Sequence, residues 1–164
     1  MSRYNTRRID NEIKTFLPTS SQVNEYNASN PYRYLEKINT NYYFIIIPQS
    51  IYINNEILVT MNFDNSNYPF RPPKQILIRG IDYMKLLTSN NIIQEFLDKF
   101  TTITCLCCST LMCRDNWNPH KKIRDILDEI VKIISIRKRM VEHIFAKNIT
   151  EKYFGFYLPI VEFI

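Results

Sequence analysis

The heptapeptide Tyr68-Pro69-Phe70-Arg71-Pro72-Pro73-Lys74 packs three of the chain's eight prolines into five positions. Each pyrrolidine ring fixes φ at about −65° and removes a backbone donor, so a hydrogen-bonded ladder cannot run through it. The chain must therefore leave a sheet on one side of this turn and re-enter it on the other. What precedes the turn is strand-like: Tyr32 to Ile38 alternates, and Tyr42 to Ile47 is β-branched and aromatic. Glu56 to Phe63 alternates again, with Ile57, Val59, Met61 and Phe63 on one side. Asn54-Asn55 supplies turn chemistry between the second and third of these runs. Beyond the turn, Gln75 to Ile78 is a short apolar run and forms a fourth strand.

Helical periods flank the strands. Arg7 to Leu17 places Ile9, Ile13 and Phe16 on one face, and Pro18 ends it. Thr19 to Pro31, rich in Ser and Asn, reads as a connecting loop. Ser89 or Asn90 caps a helix that reaches Phe100, with Ile92, Ile93, Phe96, Leu97 and Phe100 apolar. Ile123 opens a long helix toward Phe145, with Ile126, Leu127, Ile130 and Ile134 on one stripe. The tail from Tyr153 to Ile164 is aromatic and apolar, with Pro159 inside it. Neighbouring strands flanked by helices give an α+β class with a four-stranded antiparallel meander. At 164 residues the expectation is a single domain over 1–164.

Composition narrows the function classes. Hydrophobic residues are 45% and charged residues 23%, ordinary for a globular chain, and no apolar run is long enough for a membrane span. Met1 to Arg8 is polar and basic with no apolar stretch behind it, so no signal peptide is read and a cytoplasmic or nuclear, intracellular location is expected. The net charge is +5, but the basic residues are not concentrated: Arg3, Arg7 and Arg8 lie at one end, Lys121, Lys122, Arg124, Lys132, Arg137, Lys138 and Arg139 toward the other, and the rest are scattered along the chain. A solvated or partner-binding surface accounts for them, and nucleic acid is not expected as a partner. The abundance of Asn, Ile, Tyr and Lys beside only two glycines resembles AT-rich coding DNA, as in a large DNA virus or a protist.

All four cysteines, Cys105, Cys107, Cys108 and Cys113, fall within nine residues. A disulfide framework would spread them along the chain, so they mark one thiol site in a loop. Cys-x-Cys-Cys-x4-Cys is a poor zinc motif, because the adjacent pair suits a tetrahedral site badly and no spaced pair recurs at a distance. His120, seven residues beyond Cys113, is the one nearby imidazole. No metal and no cofactor are expected. Trp117, the only tryptophan, reads as a core anchor below the loop.

Three strings in this order resemble the ubiquitin-conjugating enzymes. Arg7-Arg8-Ile9-Asp10-Asn11-Glu12-Ile13 looks like that family's opening helix, and Tyr68 to Lys74 looks like its signature turn between the third and fourth strands. Trp117-Asn118-Pro119, followed by Ile123, Ile126, Leu127 and Ile130, has the spacing found beyond the family's active site. The resemblance covers about residues 3–134, leaving 135–164 as a divergent C-terminal extension. It implies a fold with an N-terminal helix, the four-stranded meander, an active-site loop and a C-terminal helix. It also implies a cysteine that accepts ubiquitin or a ubiquitin-like protein as a thioester from an activating enzyme, then passes it to a lysine or a ubiquitin ligase. Sulfur suits that task because it is nucleophilic and keeps the acyl group reactive.

The family's cysteine is usually followed by Leu. Cys105 precedes Leu106 and stands twelve residues before Trp117, while Cys107 follows Leu106 and stands ten before it. Both are catalytic candidates; Cys105 ranks first and Cys108 third. The resemblance places ligase and activating-enzyme contacts at Arg7, Arg8, Phe70, Pro119 and His120. Phe70 has a plainer reading as an exposed or half-buried turn aromatic, and Arg7 and Arg8 have one as an ordinary solvated helix end.

The chain departs from the family in three respects. It has no His-Pro-Asn string, and the helical period from Asn90 to Phe100 stands where that string belongs. Thr101, Thr102, Thr104 and Asn116 are the nearby groups able to donate to an oxyanion, a role worth about 3 kcal/mol where it exists. The hairpin over Pro48 to Asn55 is pared down, and the family's last two helices are shortened or rebuilt. Retained cysteines favour an enzyme; the lost string favours a catalytically inactive binding module of the same fold.

Overall fold

In a computed structural model of the chain, residues 3–15, 32–37, 42–49, 53, 55–63 and 67–154 are described. The chain begins with α1 (Arg3–Lys14) and continues through β1 (Arg33–Lys37), β2 (Tyr42–Ile47), β3 (Ile57–Asn62), β4 (Gln75–Ile78) and β5 (Ile81–Asp82). Then come α2 (Tyr83–Leu86), α3 (Asn91–Phe100), α4 (Leu106–Ser109) and α5 (Ile123–Phe154). The class is α+β. The sheet is a meander in the order β1-β2-β3-β4-β5, antiparallel throughout.

Alternation decides which face of the sheet is buried. Tyr43, Ile45 and Ile47 pair across the ladder with Met61, Val59 and Ile57, and Met61 and Val59 pair with Ile76 and Ile78. All eight side chains are buried and share one core with Ile123, Ile126, Leu127 and Ile130 of α5 and with Ile9 and Ile13 of α1. A bulge between Tyr34 and Glu36 turns Leu35 out to solvent while Tyr34 stays packed on the core.

Five strands stand where four are expected. The addition comes from Arg79-Gly80, which join Ile78 to its ladder partner Ile81 with φ of 50° and 79°. Two central residues with positive φ make a type I′ hairpin, whose usual first residue is Asn or Asp. Arg79 holds that strained position through two anchors: its amide donates to the Leu58 carbonyl at 2.9 Å, and Nη2 donates to the Glu56 carbonyl at 3.1 Å. Gly80 has open space around it and serves the turn by its φ alone.

Other boundaries shift. α1 spans Arg3–Lys14 rather than Arg7 to Leu17; Phe16, Leu17, Pro18 and the loop of 19–31 lie outside the described residues. α3 begins as read, with the Asn90 side chain accepting from the Ile93 amide at 2.9 Å. α5 is one uninterrupted helix running past Phe145 to Phe154, so Tyr153 belongs to a helix and not to a tail; Pro159 lies outside the described residues. Its buried stripe continues through Ile133, Ile136 and Met140, and Ile134 is only half-buried, because a straight helix at 3.6 residues per turn drifts off a fixed spacing of four. Part of the segment from Pro48 to Asn55, Asn54 included, also lies outside the described residues.

A row of rings connects the sheet to the segment beyond the cysteines. Tyr43 meets Phe63 edge-on at 5.5 Å, Phe63 meets Tyr68 edge-on at 5.2 Å, and Tyr68 meets Trp117 at 5.9 Å. Each contact of this kind contributes ~0.5–1.5 kcal/mol beyond the area it buries. Trp117 is buried, as an anchor should be, and its indole N–H donates to the Pro69 carbonyl at 2.7 Å.

Candidate active site

The cysteine segment is not a plain loop: it holds one helical turn. Leu106, the first residue of α4, is 1% exposed and acts as the peg that fixes the turn. Successive helical side chains are about 100° apart, so with Leu106 inward Cys107 and Cys108 face solvent, and both are exposed. Cys105 precedes the turn in extended conformation, φ −156° and ψ 127°, and is half-buried. Its carbonyl accepts from the Ser109 amide at 3.1 Å, which closes the turn. The extended residue followed by the turn folds three side chains over one point. Cys105 Sγ lies 2.8 Å from Cys107 Sγ, and Cys107 Sγ lies 3.7 Å from Cys108 Sγ. Cys113, half-buried, and His120, exposed, stand outside this group.

These neighbours separate the thiols electrically. The Cys107 thiol, and then the Cys108 backbone amide, act as donors toward the Cys105 sulfur and pull its pKa down to about 7. Cys108 is pushed up to about 11, because its own hydrogen bonds to Cys105 and Cys107 favour its protonated form. Of these two thiols, Cys105 carries the thiolate near neutral pH and Cys108 keeps its proton.

Two side chains from outside the turn hold the segment that follows it. Glu129 on α5 accepts from Thr110 Oγ1 at 2.5 Å, from the Leu111 amide at 2.7 Å and from the Tyr83 hydroxyl at 2.6 Å. Burial, and then the Glu129 carboxylate, push the Tyr83 phenol above its ordinary range, so it remains a donor. Asn116 Nδ2 donates to the carbonyls of Cys108, at 2.6 Å, and Thr110, at 3.0 Å. A primary amide has two N–H donors, and both are engaged here. Asn116 therefore shapes the loop and has no free hydrogen for an oxyanion. Thr101 Oγ1 caps the end of α3 through the Leu97 carbonyl at 2.9 Å and receives the Ile103 amide at 3.1 Å. The Thr104 carbonyl is held by Gln94 Nε2 at 2.8 Å.

A second group gathers around the proline-rich turn, and its centre is Glu12. This carboxylate accepts from Arg8 Nε at 2.5 Å, from the Tyr68 hydroxyl at 2.6 Å and from the Ile123 amide at 2.8 Å. It thus joins α1, the turn and the first residue of α5, where a negative charge also suits the helix dipole. Arg8 Nη2 reaches the Pro119 carbonyl at 3.3 Å. Phe70 is 73% exposed, while Arg7, Pro119 and His120 are all open to solvent. The His120 amide donates to Asn118 Oδ1 at 3.0 Å, an Asx turn that fixes the backbone beside Pro119.

Two groups that hold the site, Glu12 and Glu129, escape sequence reading, while Asn116, expected as an oxyanion donor, instead ties the loop together through the Cys108 and Thr110 carbonyls. Arg8 and Glu12 sit at i and i+4, so their ion pair is legible. Nothing local signals that Glu12 also reaches residue 123, or that Glu129 reaches residues 83, 110 and 111. No family profile, no curated protein and no solved structure matches this chain.

Proposed function

We propose that this chain is an acyl carrier of the ubiquitin-conjugating type, in a divergent UBC-like fold. Cys105 accepts the C-terminal carboxyl group of ubiquitin or a ubiquitin-like protein and hands it to a lysine or a ligase cysteine. The observation that carries the reading is the state of Cys105. It is a half-buried sulfur beside two exposed thiols, drawn toward the thiolate by its neighbours, in a turn pegged by Leu106 and tied down by Asn116 and Glu129.

The chemistry follows from that sulfur. Cys105 Sγ attacks the activated carbonyl carbon delivered by an activating enzyme, a C–S bond forms, and the leaving group departs with its electron pair. A lysine amine or a second thiolate then attacks the same carbon and expels the Cys105 thiolate; an amine also gives up a proton to solvent. The exposed ring of Phe70, together with exposed Arg7, Pro119 and His120, forms the surface on which a ligase or activating enzyme docks.

One observation favours the second reading, a catalytically inactive binding module. The chain lacks His-Pro-Asn, and Asn116, the one amide among the expected oxyanion donors, has both amide hydrogens engaged. The two readings part in one experiment: incubation with activating enzyme, ATP and a panel of ubiquitin-like modifiers, followed by non-reducing electrophoresis. A carrier gives an adduct that reductant removes. A binding module gives none with any modifier and still retains free modifier in a pull-down.

A further inference from the structure

We infer that Cys105, Cys107 and Cys108 form a binding site for a thiophilic metal ion of the zinc class, with three protein ligands and the fourth position open to solvent. The inference stands on the convergence of the sulfurs and does not depend on the acyl-carrier reading; because both use Cys105 Sγ, metal binding and acylation at that sulfur exclude one another. Among the described residues this trio is the one group of His, Cys, Asp or Glu side chains whose ligand atoms converge; all three sulfurs lie within 4.8 Å of one another.

The objection raised by adjacent cysteines in the sequence is met by the backbone. Cys105 is extended and Cys107 and Cys108 are helical, so the side chains approach a common point from two directions. A zinc–sulfur bond of about 2.3 Å puts the sulfurs of a tetrahedral site about 3.8 Å apart. The Cys107–Cys108 separation of 3.7 Å already has that value. The Cys105–Cys107 pair, at 2.8 Å, must open by about 1 Å to reach that spacing. Cys107 and Cys108 are exposed, so rotation about Cα–Cβ supplies that adjustment without disturbing the core. Leu106 is buried between the first and second ligands and keeps the turn in place while the sulfurs move.

Soft thiolates select zinc or copper(I) over calcium and magnesium. Three protein ligands and an exposed rim suit an ion that keeps a water or exchanges one ligand, as against a closed four-ligand structural site. Binding displaces a proton from each ligand that is still a thiol, and those protons go to the buffer.

The test uses the full chain, reduced and stripped with chelator, titrated anaerobically with Co2+ as a coloured stand-in for zinc. We expect a thiolate-to-cobalt charge-transfer band that saturates at one equivalent and is bleached by Zn2+. Cys105→Ser, Cys107→Ser and Cys108→Ser should each weaken binding by about 10-fold or more, at least the loss seen when a mere supporting residue is removed. Cys113→Ser should leave it unchanged. The absence of a charge-transfer band in the wild-type chain would overturn the inference, as would a Cys113→Ser loss equal to the other three. Far-UV circular dichroism on each variant separates lost ligation from lost folding, and Cys107 and Cys108, being exposed, are the variants least exposed to that ambiguity.

Discussion

Replacing Glu129 by Ala tests how the cysteine segment is held. The substitution removes one acceptor from three donors: the hydroxyls of Tyr83 and Thr110, each 1% exposed, and the Leu111 amide. Hydrogen bonds to a charged group are worth ~1.5–3 kcal/mol each, but these three share one carboxylate and their losses do not add. The site also borders an open cavity of about 340 Å³ lined by Leu106, Thr110, Leu111 and Glu129, so water can reach some of the abandoned donors. A loss of about 2–4 kcal/mol follows, a sizeable part of a domain's usual ~5–15 kcal/mol. Glu129→Gln should cost only about 1 kcal/mol, because Oε1 can still take the Leu111 amide and the two hydroxyls can turn to accept from the new NH2. Urea denaturation followed by circular dichroism measures both, and an alanine replacement at exposed Glu95 on α3 should stay within about 0.5 kcal/mol. Amide hydrogen exchange should show Leu111 losing protection in Glu129→Ala. If Glu129→Ala unfolds within about 0.5 kcal/mol of wild type, the clamp does not hold the segment and the reasoning fails.

Further outcomes follow from the same geometry. Cys105 should be alkylated by iodoacetamide with a rate that climbs through pH 7, since a pKa lowered from 9.0 makes the thiolate appear as pH rises through the lower value; a midpoint near 9 on the metal-free, reduced chain would contradict the local donors. Glu12→Ala should lower stability by about 2–4 kcal/mol, since it strands the buried Tyr68 hydroxyl and the Ile123 amide; an unchanged denaturation midpoint would remove Glu12 from the account. Trp117→Phe should cost about 1–3 kcal/mol for the lost hydrogen bond to Pro69 and the reduced packing on Tyr68. Phe70→Ala, by contrast, should leave stability within about 0.5 kcal/mol, because the ring is exposed, while abolishing ligase-dependent discharge; a large stability loss would make it a packing residue.

How much of this was legible in the sequence depends on the range of the signal. Alternation in Glu56 to Phe63 placed Ile57, Val59, Met61 and Phe63 in the core, and all four are buried, because a two-residue period leaves one consistent choice of face. The Asn90 cap was legible because capping is settled within four residues. The fifth strand was not, since Arg79 occupies a position normally marked by Asn or Asp and is held there by carbonyls more than twenty residues away. The helical turn at the cysteines was hidden because four residues are too few to show a period; burial of Leu106 creates it. The thiols could be located as a group, but their order of acidity depends on a rotation about single bonds that no sequence pattern encodes. Glu12 and Glu129 were invisible as clamps for a similar reason: each reads as an ordinary solvated helix carboxylate until the tertiary fold brings its donors across.

The most direct test of the central claim is to map the attachment site of the activated modifier across Cys105→Ser, Cys107→Ser, Cys108→Ser and Cys113→Ser, on non-reducing gels with peptide mass spectrometry. A reductant-sensitive adduct is expected in all but Cys105→Ser, where any adduct becomes a reductant-resistant ester. An adduct that survives unchanged in Cys105→Ser would contradict the assignment of the nucleophile. No adduct in the wild-type chain with any modifier would contradict acyl transfer altogether.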